Sequence, residues 1–296
     1  MWKGNMIVDA ILTSDWHLRE DTPICRIDNF WETQWNKVSQ IRELQLKYNC
    51  PVIHAGDLFH NWKTSPFLLS KTIEELPSNF YTVYGNHDLP NHNIELDYKS
   101  GIFVLEHAGV LSRIINGGHW GVDINKIEPI IIKDKKIAVT HIMTWKDSVP
   151  WPDCKEPTVN EIIDRLNDYD LILTGHNHRQ FTYEKNGTVL LNPGCITRQK
   201  TFERFEYDIQ PSVYLWNAFE NKIFQHKLNY DEDSVSNEHI KTPIRFDRSL
   251  NSFVVKLDSK WESDVDFETV LDIVLKENKV RKPVVDKIRE IVNGSD

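Results

Sequence analysis

Four cysteines among 296 residues, none in a CxxC pair, supply neither a disulfide framework nor a thiolate metal cluster. Cys25, Cys50, Cys154 and Cys195 read as reduced thiols in a cytoplasmic setting. Basic side chains are outnumbered, 35 Lys and Arg against 44 Asp and Glu, for a formal net charge of −9. That argues against binding nucleic acid through global electrostatics, since phosphate contacts come from clustered cations. A local basic path stays open, as does a centre carrying its own positive charge. Long apolar runs are missing too. Met6 to Leu12, interrupted by Asp9, is far too short to cross a bilayer and lacks a cleavage-site pattern, so it reads as a buried strand and no membrane is expected. Repeats and low-complexity tracts are absent.

What is present fits a soluble globular chain, with 40% hydrophobic and 27% charged residues. The length suggests one main domain with a smaller appendage. Strand-length apolar runs recur at Met6–Leu12, Pro51–His54, Phe80–Val83, Ile137–Thr140 and Leu171–Thr174. Between them, helices are expected over Arg26–Leu46, where Phe30, Val38, Ile41 and Leu44 share a face, and over Pro66–Leu76. A third is expected over Thr158–Leu166, where Thr158 and Glu161 form a capping-box pattern. Strand alternating with helix gives an α/β class. After residue 180, short strands are expected at Phe181–Tyr183, Gly187–Leu191, Val213–Trp216 and Ile223–His226, with a hairpin turn at Lys185-Asn186-Gly187. The polar, acidic stretch 229–242 reads as a linker. Domains are therefore expected at 1–228 and 243–296, the latter with a strand at Ser252–Leu257 and helices at Asp264–Glu277 and Lys282–Val292.

The chemistry stands where the strands end. The first runs into Asp15-Trp16-His17, the second into Gly56-Asp57, and the third into Gly85-Asn86-His87-Asp88. The last two run into His141 and into Gly175-His176-Asn177-His178. Carboxyl ends of strands are where α/β sheets build sites. Asp, Asn and His offer oxygens and imidazole nitrogens suited to Mn, Fe or Zn, with Mg less favoured. One histidine at a strand end is ordinarily a polar core or surface residue, and Asp57 or Asn86 alone is an ordinary turn former. All these spacings together are not explained that way. His54, His92, His107, His119, His226 and His239 match nothing and take the ordinary reading.

With these residues the chain resembles the calcineurin-like metallophosphoesterase superfamily, whose order D-x-H, G-D, G-N-H-[DE], H, G-H-x-H is complete here. Asp57-Leu58-Phe59-His60 and Asn192-Pro193-Gly194 further resemble the SbcD-type nucleases of DNA repair and recombination. The motifs span Asp15 to Gly194. The resemblance implies a four-layer α/β/β/α sandwich with a small C-terminal extension that caps the site or binds a partner. It implies one metal on Asp15, His17, Asp57 and His178, and a second on Asp57, Asn86, His141 and His176. Two cations about 3.5–4 Å apart would grip both oxygens of an in-line displacement. They would also leave the centre net positive and attractive to phosphate despite the acidic chain. His87 would stabilise the transition state or protonate the leaving group, and His60 would contact phosphate. Asp88 is read either as orienting His87 or as a turn residue before Leu89-Pro90.

The implied activity is a Mn-dependent DNA nuclease, exonuclease or endonuclease, that cuts phosphodiester bonds with metal-activated water. DNA, an SbcC-type ABC ATPase and a second copy of the chain are the partners considered. A compact phage version, working in host cytoplasm, fits the short C-terminal region. The sequence departs from the group at Cys195, where Ser is common, and in the Trp- and Pro-rich loop Met143–Pro157. Two rivals use the same ligands: a small-molecule phosphodiesterase or nucleotide phosphatase, and a non-catalytic scaffold. Arg198, Lys200 and Arg204 read as a solvated face, with a DNA-backbone track as the alternative. Trp145 and Trp151 read as packing residues, with base stacking as the alternative.

Overall fold

The computed structural model describes residues 6–147 and 153–239, with Leu275, Lys282, Val285 and Arg289 beyond them. The chain divides into two compact units, Met1–Ser236 and Asn237–Asp296. The strand and helices expected between 252 and 292, the end of the acidic stretch and Trp151 lie outside the continuous described segments.

In chain order the first unit contains β1 (Ala10–Thr13), α1 (Phe30–Tyr48), β2 (Val52–His54), α2 (Pro66–Glu75) and β3 (Phe80–Thr82). α3 (Gly101–His107), β4 (Ser112–Arg113), β5 (Ile130–Ile132), β6 (Lys135–Thr140) and α4 (Val159–Arg165) follow. β7 (Leu171–Thr174), β8 (Phe181–Lys185), β9 (Thr188–Asn192), α5 (Thr201–Phe205), β10 (Ser212–Asn217) and β11 (Lys222–Lys227) complete it. One sheet has the order β11-β10-β1-β2-β3-β4, the other β5-β6-β7-β9-β8. β1 through β4 are mutually parallel, as are β6, β7 and β9, while the flanking strands are antiparallel.

Strand parity stacks the layers. Ala10 and Leu12 face the second sheet, together with Ile53, Val139, Leu171 and Leu173. Ile11, one residue out of phase, faces Val38 and Ile41 of α1 on the opposite side. On the far face of the second sheet, Ala138 and Ile172 pack on Ile162 and Ile163 of α4. The result is the expected α/β/β/α sandwich. Local signals hold as well. Thr158 and Glu161 complete their capping box, and Asn186 and Gly187 both take positive φ, as a two-residue turn between β8 and β9 requires.

Some boundaries moved. Helix α1 begins at Phe30 rather than Arg26, because the Asn29 side chain caps Glu32 N–H and Arg26 is engaged elsewhere, pairing with Asp28 at 2.6 Å. β1 starts at Ala10 instead of Met6. The two-residue β4, the edge strand β5 and the short helices α3 and α5 carried no clear periodic signal. The acidic stretch expected to be a linker is, as far as Ser236, docked on the first unit. Val235 bridges Arg26, and Ser236 N–H donates to Cys25 O at 2.7 Å.

Ile53 is fully buried between the sheets. Ile53→Ala is expected to lower the unfolding free energy by about 2–5 kcal/mol, read from urea denaturation. A loss below about 1 kcal/mol would contradict its place between the layers.

Candidate metal centre

Register brings the motifs together. Thr13 pairs with His54 and His54 with Thr82, so β1, β2 and β3 end side by side; Thr140 pairs with Thr174 in the second sheet. The residues just past these ends therefore emerge at one edge of the sandwich. The sheets meet there: His141 Nδ1–H donates to Ala55 O at 2.7 Å, and a Cβ on Gly175 would lie 2.3 Å from that oxygen.

All seven expected ligands converge, in two groups. Ligand atoms of Asp15, His17 and His178 lie within 4.8 Å of one another, as do those of Asp57, His141 and His176. His17 Nε2 is 3.1 Å from His178 Nε2, and Asn86 Oδ1 is 2.8 Å from His176 Nδ1 and 3.1 Å from His141 Nε2. Asp57 joins the groups through one oxygen: Oδ2 lies 3.6 Å from His17 Nε2 and 3.3 Å from His141 Nε2. Its other oxygen, Oδ1, accepts His87 N–H at 2.8 Å.

The donor chemistry fits divalent cations. His141 and His178 spend Nδ1–H on Ala55 O and on Glu203 Oε1 (2.5 Å), so each turns its Nε2 inward. Burial pushes the Asp15 carboxyl up, the expected response of an acid denied water. Burial also acts to raise Asp57, but the imidazoles of His141 and His17 outweigh it and hold that carboxyl well below the usual range. Burial and the neighbouring His141 push His176 down to about 3, leaving a neutral imidazole of the form a metal requires.

Close approach dictates glycine at two positions. Gly56 has φ +89°, and its missing Cβ would stand 2.5 Å from His141 Nδ1. A Cβ on Gly85 would lie 2.1 Å from Asp57 Oδ1.

Asp88 does not orient His87. Its carboxylate is buried and accepts backbone N–H groups of Asp57 (2.8 Å), Leu58 (3.3 Å), Phe59 (3.0 Å) and Gly85 (2.9 Å), so it shapes the loop that carries Asp57. His87 is oriented by the carbonyl of His60, 2.8 Å from its Nδ1. The His60 and His87 rings stack at 5.2 Å, and His87 meets the His17 ring edge-on at 4.7 Å. Both half-buried imidazoles thus cover the Asp15–His17–His178 side of the centre.

Glu203 is the residue the sequence hid. It is fully buried in α5, and while Oε1 takes His178, Oε2 accepts the backbone N–H of Gln199 (2.5 Å) and Lys200 (2.9 Å). The N-cap position is Lys200, not one of the Ser, Thr, Asp or Asn residues that advertise a helix start. Cys195 lies beside the same pair; burial and then Glu203 push its thiol up to about 11, so it stays protonated. Trp120, also unmarked in sequence, tilts over His176 with ring centroids 4.7 Å apart. His54 keeps its ordinary reading, buried with Nδ1 2.8 Å from Thr82 Oγ1.

The basic face expected at Arg198, Lys200 and Arg204 does not form. Arg198 is buried and bonds Ile209 O and Asp208, while Arg204 pairs with Asp233 and bonds Val235 O. Only Lys200 is exposed.

Residues 9–209 match the calcineurin-like phosphoesterase superfamily domain. The chain belongs to this superfamily. Its members bind two divalent metals, and Asp15, His17 and His178 on one side and Asp57, His141 and His176 on the other are candidate groups for such ions. The fold is similar to a novel archaeal phosphodiesterase, at 16% identity and TM-score 0.44 over 74% of this chain and 99% of the other. It is also similar to vacuolar protein sorting 29 from Cryptosporidium parvum, at 19% identity and TM-score 0.38 over 76% and 100%. Vps29 from Entamoeba histolytica, complexed with zinc, is 16% identical with TM-score 0.33 over 74% and 99%.

Glu203→Gln keeps the side-chain shape but removes the charge facing His178. Mn affinity measured by titration calorimetry is expected to weaken about 10–100-fold. Unchanged affinity would show that Glu203 only builds its helix. Gly85→Ala, which forces Asp57 aside, is expected to abolish stoichiometric metal binding, read by elemental analysis of the folded protein.

Proposed function

We propose that this phosphoesterase is a Mn-dependent DNA nuclease of SbcD type, hydrolysing phosphodiester bonds at the Asp57 centre. The observation that carries the hydrolytic reading is the single Asp57 oxygen shared by two complete ligand groups. The nuclease reading draws on the Gly56-Asp57-Leu58-Phe59-His60 run, which places His60 in a stack with His87 beside those groups.

The residues divide the work. Asp15, His17, Asp57 and His178 would hold one cation, and Asp57, Asn86, His141 and His176 the other. Bound there, the cations supply positive charge to phosphoryl oxygens and acidify water. His87 keeps Nδ1 on the His60 carbonyl, which leaves Nε2 to carry a proton to the departing oxygen. His60, half-buried and stacked on His87, gives the phosphate a second imidazole contact. Burial, with Arg19 and His87, pushes His60 down to about 4, so at neutral pH it acts as a neutral hydrogen-bond partner.

Single-stranded DNA, duplex ends and bis-p-nitrophenyl phosphate, compared with Mn, test the reading. All three should be cleaved, the oligonucleotides with the lower KM. Hydrolysis of the small ester alone would leave a small-molecule phosphodiesterase. Sub-stoichiometric metal without turnover would leave a non-catalytic scaffold. His87→Ala is expected to keep metal stoichiometry while kcat falls about 10²–10⁴-fold. Normal cleavage by that variant would remove His87 from the reaction. Restoring Mn to chelator-stripped protein, at about 100 times its Kd, should add about 2.7 kcal/mol of stability. An unmoved melting temperature would contradict a metal held by the folded chain alone.

A further inference from the structure

Beside the His176–His178 turn opens a cavity of 420 Å³ that none of the proposed catalytic steps uses. Two of its lining residues, His176 and His178, belong to the two ligand groups, so whatever fills it touches the centre. The walls combine two chemistries. Lys146, Arg179 and Lys200 bring cationic groups to a chain whose net charge is −9. Trp145, Phe202 and Tyr207 bring aromatic faces. Asp147 is the one carboxylate in the lining.

The aromatic walls are set in place. Trp145 donates its indole N–H to Glu156 O at 3.0 Å and bridges Thr158, which fixes the ring while leaving it half-exposed. Tyr207 meets Phe202 edge-on at 5.7 Å, and its outer face is covered by the Arg179 guanidinium at 3.6 Å. Phe202 itself is only partly buried. Interleaved cations and aromatic rings in a groove are the chemistry that holds an unpaired nucleotide: the rings stack on any base and the cations follow the backbone. The volume falls within the range of about 300–1,000 Å³ typical of small-ligand sites, enough for a nucleoside.

We infer that this cavity is a subsite for an unpaired nucleotide adjoining the scissile phosphate, with its base against Trp145 and Phe202 and its backbone against Lys146, Arg179 and Lys200. The inference rests on the nuclease reading of the metal centre and adds that the cut strand is held single-stranded on the His176–His178 side. A duplex end would then have to open before cleavage, at the cost of unstacking.

The test uses the full chain with Mn, a single-stranded DNA decamer and bis-p-nitrophenyl phosphate, which carries neither a nucleobase nor flanking phosphates. Phe202→Ala is expected to raise KM for the decamer about tenfold, the loss of one base stack, while kcat/KM for the small ester stays within about twofold. Lys146→Ala, at an exposed lysine that belongs to neither ligand group, should raise the decamer KM and flatten its salt dependence, again sparing the ester. It decides the matter should Phe202→Ala disturb the neighbouring Glu203 and lower both activities. If both variants cleave the decamer like the wild type, the subsite is wrong while the metal centre stands. If the wild type hydrolyses the ester but never the decamer, the subsite is likewise overturned. If it hydrolyses neither, the reading of the centre has failed first.

Discussion

The placement of one carboxylate, that of Asp57, underlies the whole site. Its Oδ2 faces imidazoles from β1's end and from β6's end, so it stands between the two groups and between the two sheets. Nothing about it is left to solvent. Asp88 gathers the N–H groups of residues 57, 58 and 59 into one carboxylate, and the His87 N–H holds the remaining oxygen. The missing side chain at Gly85 provides the space. Asp88 is pushed up to about 7, by burial first and by Asp57 second. Two buried acids this close are tolerable because one is spent entirely on backbone donors.

That precision is bought with backbone strain. Asp15, His17, Asp57 and His176 all sit at positive φ, between 46° and 76°, a region uncommon for any residue with a side chain, though Asn, Asp and His enter it most often. Such residues cost on the order of 1–3 kcal/mol each and persist only where neighbours over-determine them. Here the neighbours are a ladder continued past the strand ends: Asp15 N–H to Gly56 O, His17 N–H to Asp57 O and Leu18 N–H to Leu58 O, at 2.9–3.0 Å. The extra pairing holds the left-handed residues in place and turns their side chains toward each other.

Much of this was legible before any coordinates. Apolar runs ending in Asp, Asn or His picked out the seven side chains that converge, because parallel strands must end together and each motif sits just past an end. The layers followed from the alternation around Ile11 and Ile53. What stayed hidden was set by contacts remote in sequence. Glu203 reaches His178 across 25 positions from a helix with no marked start, so its spacing carried no message. Asp88 was legible as a motif member, but its work is done on main-chain groups that look alike in every sequence. Arg198 read as a surface cation because composition cannot tell that the Ile209 carbonyl and Asp208 are folded over it.

The docked segment around Val235 has a mechanical meaning. Val235 bridges Arg26, Arg204 of α5 bonds the Val235 carbonyl, and Arg26 donates to Arg198 O at 2.9 Å. The place where the polypeptide leaves the first unit is thus fastened to the short helix that carries Glu203, and through Glu203 to His178. Loss of the Arg204 hydrogen bond to Val235 would therefore loosen the helix that orients His178, and not merely free a surface strand.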